Sequence, residues 1–233
     1  MKIQKSKFLK LLTKIHCNGL IHEGIINFEP KQISCLVKET SNIGMASVKA
    51  PTSLATEYEA FGEIGVTNFG DLIKLVSRFN EAIEITKHEN LLVLKDAKKE
   101  LELVLPDPEY LRGEISMDKI MTVVFPVDID VESSVFKDSV VNAEILKCGT
   151  MFININNNIL AVTTGDDNKF TEKLSVVAPN QKSKYGDLLK HIVVGCPERI
   201  HIKFGQDLPI MVSYVDEEVS ALYVVAPLAI TEE

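Results

Sequence analysis

The chain has 233 residues, 45% of them hydrophobic, and a mean hydropathy of +0.10, enough to bury one large core or two ordinary ones. Its 33 Asp plus Glu against 25 Lys plus Arg give a net charge of -8, which excludes a protein that coats nucleic acid with its whole surface, since phosphate affinity comes from clustered cations. No apolar run approaches the ~20 residues that span a bilayer, and the lysine-studded start lacks the apolar core of a signal peptide, so an intracellular, soluble protein without a membrane partner is expected.

The first element lies in MKIQKSKFLKLLTKIH, where Lys2, Lys5, Lys7, Lys10 and Lys14 precede any acidic residue, the first being Glu23. Phe8, Leu11, Leu12 and Ile15 recur at i, i+3, i+4, i+7, which predicts a helix with one apolar stripe and with Lys7, Lys10 and Lys14 on the opposite face. Strand-like GIINFEPKQISCLV follows. FGDLIKLV predicts a second helix, striped by Leu72, Leu75, Val76 and Phe79, with Asp71, Lys74 and Arg78 outside. EAIEIT, NLLVL and ELELVLP then alternate as strands do.

Two prolines and a glycine break the pattern over 106–121, PDPEYLRGEISMDKIM. A helix over about 133–147 buries Phe136, Val140 and Ala143 and offers Lys137 and Lys147, with Asp138 and Glu144 diluting its charge. In MFININNNILAVTT, Asn156, Asn157 and Asn158 separate two apolar runs and predict a hairpin. A fourth helix is expected from Tyr185, with Tyr185, Leu188, Leu189 and Ile192 in its stripe and Lys184, Lys190 and His191 outside. ERIHIK, DLPIM and ALYVVAP close the chain.

These elements repeat. FGDLIKLV from Phe69 matches YGDLLKHI from Tyr185, and the three strand segments that follow each helix match in order. The expected fold class is α+β, with two similar domains, each of two helices packed on antiparallel sheets. The expected boundaries are 1–108, a connector over 109–124, and 125–233. Lysines concentrate on the helix faces, while acids gather in EYEAFGE, PDPEY, DIDVE and DEE.

No catalytic constellation is present. Cys17, Cys35, Cys148 and Cys196 stand singly, as buried reduced thiols do, and no C-x-x-C pair marks a metal or redox site. GDDN over 165–168 has the composition of a surface turn, and His16 and His22 do not share a helix face as the zinc motif H-E-x-x-H requires. No metal, cofactor or enzymatic activity is expected; a nuclease or phosphotransferase with unrecognised carboxylates is the alternative of a different class.

The repeat, the basic helices and the ending ALYVVAPLAITEE together resemble the DNA sliding clamps, the family of proliferating-cell nuclear antigen and the T-even phage clamps. The resemblance spans the chain and is most specific from Tyr185 onward, where DLPIMVSY and ALYVVAP look like the family's P-L-x-V-x-Y and L-x-Y-Y-L-A-P strands. It implies a homotrimeric ring whose helices line a hole threaded by duplex DNA, gripped without sequence specificity. A polymerase and a clamp loader are the implied protein partners. A non-ring processivity factor of the same fold is the nearer alternative.

The resemblance implies site residues as well. Lys7, Lys10, Lys14, Lys74, Arg78, Lys137, Lys184, Lys190 and His191 would face DNA, although Asp71 stands where other members carry a lysine. Phe28, Ile33, Ile115, Met117, Ile120, Pro209, Val224, Ala226 and Pro227 would form the groove for a partner peptide, with Val224 in place of a tyrosine. Leu101, Leu103 and Leu105, in an edge strand over 99–105, would meet Leu174 and Val176, in one over 169–177, across the subunit boundary.

Overall fold

The computed structural model describes residues 1–113, 117–165 and 167–229, apart from the side chain of residue 118. It divides into two compact units, Met1–Ile115 with Val215–Ala221, and Ser116–Tyr214 with Leu222–Glu233. The segment Val215–Ala221, remote in sequence from the rest of the first unit, therefore counts with it.

In the first unit, β1 (Lys2–Gln4) leads into α1 (Lys5–His16), followed by β2 (Gly24–Phe28), β3 (Gln32–Lys38), β4 (Gly44–Pro51), β5 (Ala55–Glu57) and β6 (Gly62–Val66). Next come α2 (Phe69–Ser77), β7 (Ala82–His88), β8 (Leu91–Lys95) and β9 (Glu100–Val104). Strands run in the orders β5-β1-β7-β8-β9 and β4-β3-β2-β6. Alternation sets one face inward: Ile3 stands opposite Ile83, and Ile85 opposite Leu94, all fully buried. Phe8, Leu11, Leu12 and Ile15 of α1 are buried as the stripe predicts, and α1 packs against α2 and β4.

The second unit begins with α3 (Met117–Met121), β10 (Val127–Glu132), α4 (Ser134–Leu146), β11 (Met151–Asn156) and β12 (Ile159–Thr164). It continues with β13 (Phe170–Ser175), β14 (Gln181–Tyr185), α5 (Leu188–Val194), β15 (Arg199–Phe204), β16 (Ile210–Asp216), β17 (Val219–Val225) and β18 (Pro227–Leu228). Its orders are β10-β15-β16-β17 and β13-β12-β11-β14-β18. Asn157 and Asn158, at φ 51° and 63°, make the two-residue turn of the β11–β12 hairpin, the left-handed pair that such a turn needs.

The sequence repeat is thus a repeat of topology. The run β1-β7-β8-β9 recurs as β10-β15-β16-β17, the run β4-β3-β2-β6 recurs as β13-β12-β11-β14, and the packed pair α1 and α2 recurs as α4 and α5.

The expected fourth helix is corrected at its start. Lys184 and Tyr185 belong to β14, which pairs with β11, and α5 begins only at Leu188. The buried Tyr185 hydroxyl donates to the Leu208 carbonyl at 3.1 Å, and Ser183, two residues before it, is buried on the same side. Period-2 burial and sheet hydrogen bonds outweigh the helical spacing of Tyr185 with Leu188, Leu189 and Ile192.

Candidate nucleic-acid interface

The outer face of α1 is where the structure departs furthest from the sequence pattern. Lys10 Nζ lies 2.8 Å from Asp216 and 3.2 Å from Glu217, Lys14 lies 3.0 Å from Asp216, and Lys7 lies 3.4 Å from Glu218. These acids are the DEE that composition places apart from the lysines; they tip the β16–β17 hairpin, within the segment that belongs to the first unit. The Lys10 and Lys14 side chains are accordingly only 23% and 11% exposed. Lys14 is a buried residue, not the solvated one its helical position predicts.

Of the remaining early lysines, Lys5 donates to the Phe79 carbonyl at 2.9 Å and Lys2 lies 3.7 Å from Glu57. The Asp216 carboxyl feels two opposed effects: partial burial pushes it up, while hydrogen bonds from Lys10 and Lys14 overcome that and hold it below its usual range. Lys10 mirrors it, its burial outweighed by Asp216 and Glu217, which raise it.

On α2, Asn68 caps the helix by accepting from the Asp71 N–H at 2.9 Å, and Lys74 pairs with Asp71 at 3.0 Å. Lys74 and Arg78 are exposed. In the second unit, Lys137 is half-buried on α4, whose outer face also carries Val141 and Ile145, 55% and 73% exposed. On α5, Lys190 pairs with Asp187 at 2.6 Å and His191 is half-buried. Lys184 sits on β14 with its ammonium 4.9 Å from the centre of the Phe152 ring. The packed helix pairs thus gather Lys7, Lys10, Lys14, Lys74 and Arg78 in the first unit, and Lys137, Lys190 and His191 in the second, while Lys184 lies off the helices.

The residues expected at the peptide groove separate. Phe28 and Ile33 are core: Phe28 stacks on Phe61 at 4.3 Å, and both are buried because the inward positions of β2 and β3 are theirs. Val224 is likewise buried in β17. Met117, Ile120, Pro209, Ala226 and Pro227 are partly exposed, and Ile115 lies outside the described residues. Sequence reasoning missed a cleft of about 330 Å³ in the first unit, lined by Leu36, Val37 and Leu111 among polar neighbours that include Lys38, Glu63 and Arg112. Leu36 carries the signal that could have found it, being an apolar residue at an outward position of the β3 alternation, 37% exposed.

The expected boundary strands are both sheet edges. β9 ends its order beyond β8, and β13 ends its order beyond β12. Leu101, Leu103 and Leu174 are half-buried there and Val176 is half-buried just past the end of β13, whereas Leu105 lies past the end of β9 and is buried, its N–H donating to the Asn90 carbonyl. Among the described residues no three His, Cys, Asp or Glu side chains are grouped to hold a metal ion, and no helix is long and apolar enough to cross a membrane.

No family model matches the chain. A curated relative, the DNA polymerase sliding clamp of Pyrococcus abyssi, is 26% identical over 231 residues, covering 89% of this chain and 90% of the relative. Among solved structures, A. fulgidus PCNA with the C-terminal region of FEN-1 bound is similar at a TM-score of 0.83 and 18% identity, over 99% of this chain and 98% of that one. PCNA of Thermococcus kodakaraensis gives 0.79 at 18% identity over 98% and 99%, and the PCNA2-PCNA3 complex of Sulfolobus tokodaii 0.77 at 16% over 97% and 98%. The fold that the sequence resemblance implies is the fold found.

Proposed function

We propose that this chain, which has the sliding-clamp fold, is a DNA polymerase processivity factor: three copies close a ring around duplex DNA and tether a polymerase and other replication proteins. It is a tether and not a catalyst, it is placed on DNA by a clamp loader, and it works wherever DNA is being replicated.

The observation that carries the reading is the duplicated topology and the two edges it leaves. In the first unit, β4 has a neighbour beyond it: the end of β17 that belongs to this unit, residues 219–221, where Ser220 Oγ donates to the Lys49 carbonyl at 3.3 Å. By the repeat, β13 is the counterpart of β4 and β9 the counterpart of β17, yet β13 and β9 both end their sheets. Pairing β13 of one copy with β9 of the next supplies the missing neighbour. The relation is heterologous, so it closes a ring if the rotation per copy closes, as a C3 trimer does.

A ring needs little affinity. Phosphate contacts without base contacts hold a duplex in any register, and topology supplies the retention that such contacts lack. Lys74, Arg78, Lys137 and Lys190 supply cations on the helices, joined by the α1 lysines, with His191 beside them on α5. The net charge of -8 matters little to DNA in the hole, because the Debye length is only ~8 Å at physiological salt. A partner peptide binds Met117, Ile120, Pro209, Ala226 and Pro227, with apolar anchors dominating as in other such grooves.

Sedimentation at micromolar concentration, followed by primer extension on a circular template with a polymerase and loader, tests the reading. A species of three times 25.9 kDa that lengthens the products is expected. A 25.9 kDa species alone, with no change in product length, sinks it. Changing Pro227 to Glu should remove polymerase stimulation and leave the trimer intact; undiminished stimulation would free Pro227 from the peptide site.

A further inference from the structure

We propose that Asp216, Glu217 and Glu218 set the affinity of the α1 face for duplex DNA, by occupying Lys7, Lys10 and Lys14 whenever phosphate does not. The inference rests on the reading of this chain as a DNA-encircling clamp and adds the residues that tune its grip. Three carboxylates meet three ammonium groups at 2.8–3.4 Å, so three of the four lysine charges of α1 are offset by a turn about 200 residues away in sequence.

As Glu89 does at φ 52° in the β7–β8 turn, Glu217 sits at φ 54° in the left-handed region, where Gly or Asn is favoured, so the position of its carboxylate rather than its backbone is what distinguishes it. Its carboxylate reaches Lys10, and its neighbours on either side reach Lys10 and Lys14, and Lys7. A phosphate that binds one of these lysines must displace a carboxylate, so each contact is an exchange of ion pairs and gains little net free energy. Such a face lets a duplex pass from one set of phosphates to the next without a deep well at any register, because a carboxylate is waiting for every lysine that a phosphate leaves.

The test is a titration of the trimer with a short linear duplex, read by fluorescence anisotropy from about 50 mM to about 200 mM salt, the range over which phosphate contacts weaken steeply. The charge-neutral variant D216N/E217Q/E218Q is compared with wild type and with E59Q/E84Q/E89Q, which removes the same charge from exposed positions elsewhere in the first unit. The tip variant should bind about tenfold tighter than the control variant, with a log–log salt slope steeper by about 0.9 for each lysine that gains a phosphate. Equal affinity and slope in the tip and control variants would overturn the inference, while processive synthesis by wild type would leave the clamp reading standing. Wild-type protein that neither binds duplex nor supports processive synthesis would remove both. Should the triple tip variant lose its fold by circular dichroism, E217Q/E218Q, which keeps Asp216 on Lys10 and Lys14, is read the same way with about threefold tightening expected.

Discussion

Asp216 is the residue on which most of the surface chemistry of α1 converges, since it accepts from both Lys10 and Lys14. Its carboxyl is held below its ordinary range, so the folded state favours the charged form. The stabilisation is therefore complete above the unfolded pKa of ~3.9 and is lost as pH falls through the lower folded value. Replacing Asp216 by Asn should lower the urea midpoint at neutral pH by the equivalent of about 1 kcal/mol, since the pair is only partly screened. The same variant should flatten the acid limb of a midpoint-against-pH curve below about pH 4. An unchanged acid limb would mean that the Lys10 and Lys14 pairs contribute nothing in solution. Leu12 makes the contrasting case. It is fully buried in the α1 stripe, and Leu12→Ala should cost about 2–5 kcal/mol in chemical denaturation without altering the charge of the outer face.

At the scale of elements, the two edge strands differ from the covered ones in composition as well as in place. β9 alternates Glu100 and Glu102 with Leu101 and Leu103, and β13 carries Leu174 half-buried, with Phe170 exposed at its start and Val177 exposed just past its end. Half-buried leucines on open edges have a use if another strand covers them. Leu103→Glu or Leu174→Glu should shift sedimentation from trimer to monomer while leaving far-ultraviolet circular dichroism unchanged. A trimer that survives both changes would place the subunit boundary elsewhere. The exposed Val141 and Ile145 of α4 were hidden from pattern reading, because Phe136, Val140 and Ala143 already satisfy a helical stripe and the extra apolar residues fall off it.

Once loaded on a circular duplex, a protein that encircles DNA as proposed should remain through a wash at about 1 M salt, where the Debye length is about 3 Å and phosphate attraction is nearly abolished. It should be lost when the same circle is cut. Release from the uncut circle at that salt would mean that charge, and not encirclement, holds the protein. The K7A/K10A/K14A variant adds a check: primer-extension length should fall below wild type, and further as salt rises. Because it also strands Asp216, Glu217 and Glu218, its thermal stability must be measured beside it.

Much of this protein is written locally. The stripe of Phe8, Leu11, Leu12 and Ile15, the Asn157–Asn158 turn, and the strand pairs after each helix depend on spacings of two to eight residues, and periodicity reports them faithfully. The repeat also is legible, because equivalent elements need equivalent burial patterns, and it points to two similar halves; the edge positions of β9 and β13 are implied only by the resemblance and are observed in the sheet orders. What tertiary structure alone decided is which groups meet across long separations. The β14 pairing took Lys184 and Tyr185 from a helix, Phe28 and Ile33 turned inward, and Asp216, Glu217 and Glu218 came to rest on Lys7, Lys10 and Lys14. A row of lysines without a nearby acid determines a charge, but its counter-charge is set by where the chain folds, since Coulomb attraction depends on distance in space and not along the sequence.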